Sequence, residues 1–202
     1  MDFFAGPSRE VTIICAAYAL GCFSPGYYLV RLCSGKDIRT IDSRSTGSTN
    51  VGRVLGRRGY IVTLLADSAK GAIALWAAVH FGLSTWGTIG VMIAVVTGHI
   101  WPAHLGFHGG KGLATTLGAL IVFDYPLALI VGSIAMAGPL LGLGTASFLA
   151  AAVISPAVAA VLGRPEVEVA GLGILVLLLL IAHRDNIRAF LAERRGGKGL
   201  QA

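Results

Sequence analysis

Long apolar stretches alternate with short polar segments along the chain. Val11 to Leu32 carries one charge, Arg31. The segment 33–59 is polar and holds Arg39, Arg44, Arg53, Arg57 and Arg58. Tyr60 to Phe81 is mainly apolar, with Asp67 and Lys70 inside it, and Ser84 to Pro102 is mainly apolar and ends in Gly98-His99-Ile100-Trp101-Pro102. Leu113 to Gly163 then runs with a single charge, Asp124, and is punctuated by Pro126, Gly142, Gly144 and Gly163. Val167 to Ala182 is the last apolar stretch, followed by the basic tail His183 to Ala202. A bilayer crossing takes about 20 apolar residues. The pattern predicts an all-α integral membrane protein, one domain over residues 1–202.

Composition supports this. Charged residues make up 13% of the chain and hydrophobic residues 55%, whereas a soluble domain carries about 25% charged residues. The net charge of +6 reads as membrane orientation. Nucleic acid is not an expected partner, because no basic, aromatic-rich soluble face exists. Cys15, Cys22 and Cys33 show neither metal spacing nor a disulfide framework, and no metal or cofactor is expected. Residues 11–32 are too long, and lack the basic start, for a cleaved signal peptide, so they read as a retained helix.

Charge placement gives a topology. With 33–59, 103–112 and 183–202 in the cytoplasm, and Arg31 at the inner end of the first span, 13 of the 16 Lys and Arg residues lie inside. Lys70 is within a span, and only Arg9 and Arg164 fall outside. A cytoplasmic tail then requires three crossings from 113–163, expected over 113–125, 126–142 and 147–163. The total is seven transmembrane helices, N-terminus outside and C-terminus cytoplasmic. The first of the three is short: 13 residues at about 1.5 Å each reach about 20 Å, against a hydrocarbon core of about 30 Å. Such a helix crosses only from a loop sunk into the cytoplasmic leaflet, where irregular backbone must line a wet cavity or be buried in protein.

Three polar clusters fall on that side. One is Ser43 to Asn50 with Arg53 three residues on. Another is Gly109-Gly110-Lys111-Gly112, just before an expected helix start. The third is His183-Arg184-Asp185-Asn186. Hydroxyls, an arginine, a lysine and backbone N–H groups at a helix start are the groups that hold phosphates. The glycine loop is not a nucleotide-binding P-loop, because Gly112 rather than Ser or Thr follows Lys111. Asp67 and Lys70, three apart on one helix, read as a structural pair that offsets intramembrane charge. His80, His104 and His108 read as loop or interface residues, and Trp76, Trp86 and Trp101 as interfacial belts.

Nearly end to end, the chain resembles the bacterial membrane acyl-phosphate:glycerol-3-phosphate acyltransferases of the PlsY type. Asp37-Ile38-Arg39 is similar to the family's segment after the first helix, and Ser43 to Arg53 to its first motif. Gly98 to Gly112 resembles the second motif, His183 to Ile187 the third, and Asp67 with Lys70-Gly71 the second-helix signature. The resemblance implies transfer of a fatty acyl group from acyl phosphate to the sn-1 hydroxyl of glycerol 3-phosphate, yielding lysophosphatidic acid and phosphate. It also implies a site on the cytoplasmic face of the bacterial inner membrane, in what is expected to be a monomer. By position, Ser43, Arg53, His183 and Asn186 match residues linked to catalysis. Thr49, Asn50, Gly98, His99, Gly109, Gly110, Lys111 and Gly112 match motif residues expected to bind substrate.

The chain also departs from the family pattern. Asp42-Ser43-Arg44-Ser45 stands where the family usually has Gly-Ser-Gly-Asn. His108 replaces a lysine, Asp185 replaces a glutamate, and a serine often found near Gly144-Thr145 is missing. The alternatives are a relative with another donor or acceptor, or a small transporter of an anionic phosphorylated metabolite. A transporter would line a path through the membrane and show repeated halves. Here the polar groups gather on one side, and no repeat is visible.

Overall fold

The computed structural model describes residues 7–141 and 146–196, and every regular element in them is helical. The Gly144-Thr145 loop and the tail beyond Gly196 lie outside the described residues. The helices are α1 (Pro7–Cys22), α2 (Pro25–Ser34), α3 (Ser48–His80), α4 (Thr85–Ile100), α5 (Leu113–Phe123), α6 (Tyr125–Leu140), α7 (Ala146–Val161), α8 (Glu166–Ala182) and α9 (Arg184–Gly196). Among the described residues, three segments are long and apolar enough to cross a bilayer, Ser8–Ser34, Ser48–His80 and Thr85–Leu105, and the bent pair Glu166–Ala182 with Arg184–Phe190 meets the same measure taken together. α4 lies at the centre, packed against α1, α3, α5 and α8. Its Met92, Val95 and Val96 are fully buried with Leu75 of α3 and Leu172, Leu175 and Leu179 of α8. Leu65, Ile73, Trp76 and Val79 of α3 point outward. In a bilayer that face is solvated by lipid, so its apolar exposure carries no penalty.

The first span is not one continuous helix, as the apolar run suggested, but α1 and α2 joined at Phe23-Ser24. Pro25 explains the break. Proline has no N–H and its ring clashes with the carbonyl four residues back, here Gly21. The released carbonyls need a donor in a lipid environment, and Lys70 supplies it. Its Nζ donates to Gly21 O at 3.1 Å and to Phe23 O at 2.7 Å. The expected Asp67–Lys70 pair is present at 3.0 Å, with both side chains almost fully buried. It is part of a larger group, because His99 Nδ1 lies 2.7 Å from Lys70 Nζ and 3.3 Å from Asp67 Oδ1.

Two boundaries also differ from the sequence reading. α3 begins at Ser48, inside the segment expected to be a polar loop, and kinks at Gly56 (φ 68°, ψ −166°), a conformation open essentially to glycine alone. Arg53 therefore stands on a helix. The basic tail is helical from Arg184 to Gly196: α9 turns 62° from α8 just after His183. The 113–163 stretch forms three helices, as expected, with α5 only 11 residues long.

Candidate active site

The first motif is shaped by Asn50. Its buried amide donates to the carbonyls of Ile38, Ile41 and Ser45, at 3.3, 3.0 and 2.9 Å, and draws 38–45 into a tight loop. Both donor hydrogens of the side-chain amide are thus spent on backbone, and its buried Oδ1 has no partner among the described residues. Thr49 is exposed on the first turn of α3, and Ser43 is half-buried. Ser43 sits between Asp42 (φ 45°) and Arg44 (φ 56°), both in the left-handed region. Arg53, one turn into α3, holds Asp42 Oδ2 with its Nη1 at 2.9 Å.

The loop after α4 is tied to this first motif. Thr46 N–H donates to Gly109 O at 3.2 Å, and Arg39 Nη1 to Leu105 O at 2.8 Å. Arg39 is itself fixed by Asp37, whose carboxyl it holds below the usual carboxylate range chiefly through their hydrogen bond. The amides of Gly109 and Gly110 are not bare, as the sequence suggested. Gly109 N–H donates to Ile100 O at 3.1 Å and Gly110 N–H to His99 O at 2.9 Å. A helix C-terminus has its own unpaired carbonyls, and the two glycines cap those of α4. Gly112 caps the start of α5 at φ 86°, which leaves the first-turn N–H groups of α5 without intrahelical partners.

Gly98 and His99 are also placed differently from expectation. Gly98 lies where α4 crosses α1, and any side chain there would strike the Tyr18 carbonyl. His99 is buried beside Asp67 and Lys70. Its ring packs against Gly110, so that an added methyl group would strike Nε2. Gly98 thus sits in the α1–α4 contact, and His99 supports the loop at Gly110. We expect Gly110→Ala to destabilise the protein by about 1–3 kcal/mol through overpacking. Gly106 has φ 63° and open space around it, so Gly106→Asn should melt like the wild type. Thermal unfolding in detergent measures both.

Lys111 joins the second motif to the third, with its Nζ 2.7 Å from Asn186 Oδ1 on α9. Burial first, and the charge of Arg53 second, hold the Lys111 pKa below the ordinary lysine value, while Asp185 and Asp42 act in the opposite direction. Arg53, Lys111, Asn186, Asp42 and Asp185 thus share one field. His183, buried at the turn between α8 and α9, directs Nδ1 at Leu179 O at 2.8 Å. A carbonyl only accepts, so Nδ1 carries the proton and Nε2 is left as an acceptor. The cluster offers two cations, a helix start, an amide and a basic nitrogen, a set suited to a phosphorylated alcohol. Asp42 is the participant that motif reading passes over as a mere departure; its separation from Arg53 by eleven residues gave no local signal.

Comparison with known proteins agrees with this geometry. The model of the glycerol-3-phosphate acyltransferase family matches residues 11–193. Glycerol-3-phosphate acyltransferase 1 of Desulfitobacterium hafniense (strain Y51) is 44% identical over 183 residues, covering 90% of this chain and 91% of its own. A glycerol-3-phosphate acyltransferase of Thermus thermophilus is 36% identical over 202 residues, covering 96% and 99%. The crystal structure of PlsY, an integral membrane glycerol 3-phosphate acyltransferase, in its glycerol 3-phosphate form superposes with a TM-score of 0.84 at 29% identity. That match covers 92% of this chain and 94% of the other. A lysophosphatidic acid form of the same enzyme superposes with a TM-score of 0.80 at 28% identity, covering 92% and 93%. Sequence, fold and comparison converge: this chain belongs to the glycerol-3-phosphate acyltransferase family.

Proposed function

We propose that this membrane enzyme transfers a fatty acyl group from acyl phosphate to the sn-1 hydroxyl of glycerol 3-phosphate, releasing lysophosphatidic acid and inorganic phosphate. The observation that carries the reading is the Lys111–Asn186 contact at 2.7 Å, which joins motifs 75 residues apart, with Arg53 close enough to act on the same ammonium. Acyl phosphate is already activated, so the protein's task is proximity and charge stabilisation. The acceptor hydroxyl oxygen attacks the acyl carbonyl carbon, the bond from that carbon to the phosphate oxygen breaks, and phosphate leaves with the electron pair. His183 Nε2 takes the hydroxyl proton. Arg53 and Lys111 hold the acceptor's phosphate and meet charge developing on the leaving phosphate. Ser43, half-buried beside Asp42, and Asn186 orient the glycerol. Thr49 and the first turn of α5 offer further donors. To test this, purified protein is given glycerol 3-phosphate with acyl phosphate or with acyl-CoA. Lysophosphatidic acid from acyl phosphate alone is the expected result. Product from acyl-CoA alone would overturn the donor assignment.

The topology belongs to the same proposal: seven crossings, the site on the cytoplasmic face of a bacterial inner membrane, in one domain acting as a monomer. Its support is the 13-of-16 charge placement and the gathering of three motifs on one side. In a cysteine-free background, single cysteines at Ser84 and Arg164 should react with an impermeant reagent added outside, and cysteines at Ser45 and Lys198 should not. External labelling at Lys198 would contradict the odd number of crossings.

A further inference from the structure

Asp42 stands where the resembled motif carries glycine, and its backbone keeps a conformation that favours glycine. Arg44 N–H donates to Ile41 O at 2.9 Å, closing a tight turn whose first central residue is Asp42 with φ 45°. Turns with positive φ at that place are dominated by Gly, Asn and Asp. Longer side chains are strained there, and Asp is among the few that tolerate the left-handed region. The side chain that strains the turn is the one that reaches Arg53, its Oδ2 2.9 Å from Nη1, with both side chains half exposed. Asp42 also favours the charged form of Lys111. A carboxylate thus pairs with one cation and acts on a second, and the two cations would otherwise repel one another.

We infer that Asp42 is the resident counter-ion of the acceptor site, holding Arg53 when no phosphate is bound and giving it up when phosphate arrives. The inference rests on the proposed role of Arg53 as a phosphate ligand. A carboxylate and a phosphate oxygen compete for the same guanidinium edge. Asp42 therefore weakens binding of the acceptor and of inorganic phosphate alike, and it speeds exchange at a site whose substrate and product share that group. In this role Asp42 is a positioning residue, because it acts through Arg53.

The test uses the full-length protein in detergent. Asp42→Asn keeps the side-chain shape and the tolerance for positive φ, and Asp42→Gly relieves the turn. For both, the acceptor KM and the inhibition constant of inorganic phosphate should fall together, by about two- to fivefold, the worth of one exposed ion pair. In an Arg53→Ala background the same substitutions should change both constants less than in the wild type, because only the longer-range effect of Asp42 on Lys111 remains. An increase in KM, or an unchanged phosphate inhibition constant, overturns the counter-ion role. Full activity of Arg53→Ala alone would instead overturn the phosphate-ligand role, so the two failures are told apart. Rising salt should raise the KM of the wild type less steeply than that of Asp42→Asn, because salt also loosens the internal pair.

Discussion

Arg53→Lys should lose activity on the order of 10²–10³-fold while folding normally. The substitution keeps the charge and removes the planar fork. A guanidinium binds two phosphate oxygens at fixed spacing, whereas an ammonium acts as a point charge. Loss of one charged, pre-aimed donor from a reacting site costs about 3–4 kcal/mol. Arg53 is half exposed and, among the described residues, its side chain pairs with Asp42, so its replacement should leave yield and melting at the wild-type level. Lys111→Ala should act mainly on the acceptor's KM. Its place at a loop–helix junction, beside first-turn amides of α5 that lack intrahelical partners, serves ground state and transition state alike. Steady-state kinetics with varied glycerol 3-phosphate separates the two effects. Near-normal turnover of Arg53→Lys would reduce Arg53 to a topology anchor.

Lys70→Met should have the largest effect on folding. Lys70 is almost fully buried and has four close partners: Asp67 at 3.0 Å, His99 Nδ1 at 2.7 Å, and the carbonyls of Gly21 and Phe23. Its removal takes the lysine from a buried carboxylate, which is left beside His99, and frees two carbonyls at the α1–α2 break. A broken buried pair costs about 3–5 kcal/mol, and each unsatisfied buried carbonyl adds about 1–3 kcal/mol. That total is comparable to the whole stability of many domains, so little folded protein should be recovered. Asp67→Asn should be milder, because the amide still accepts from Lys70. The double variant should recover yield only in part, since the break at Pro25 still lacks its donor. Yield after detergent extraction, with size-exclusion profiles, checks the order. An additive loss in the double variant would mean that Asp67 and Lys70 do not pair.

Much of this architecture was legible in the sequence because its causes are local. Apolar length marked the three long spans, and the i,i+3 spacing of Asp67 and Lys70 marked their pairing. Charge placement grouped the motifs of Lys111 and Asn186 into one expected site, and the two side chains meet at 2.7 Å. The rest was hidden because its causes are distant. Pro25 announces a break, but nothing local says that Lys70, some 45 residues on, satisfies it. Gly109-Gly110 reads as an anion loop only while the carbonyls at the end of α4 are left out of account. His99 reads as a site residue by its motif, yet Asp67 and Lys70 draw it inward. The arginines of 53–58 look like a loop, but Ser48 starts a helix there and Gly56 bends it. In the tail, charge masked the helix that carries Asn186.

The most direct measurement is binding of glycerol 3-phosphate to the purified protein, followed by titration calorimetry and by its phosphorus resonance. Wild type should bind one equivalent and shift that resonance. Lys111→Ala and Arg53→Lys should each weaken binding at least tenfold without loss of fold, and glycerol lacking the phosphate should not compete. Equal binding by all three proteins would contradict the assignment of Arg53 and Lys111 as the phosphate site.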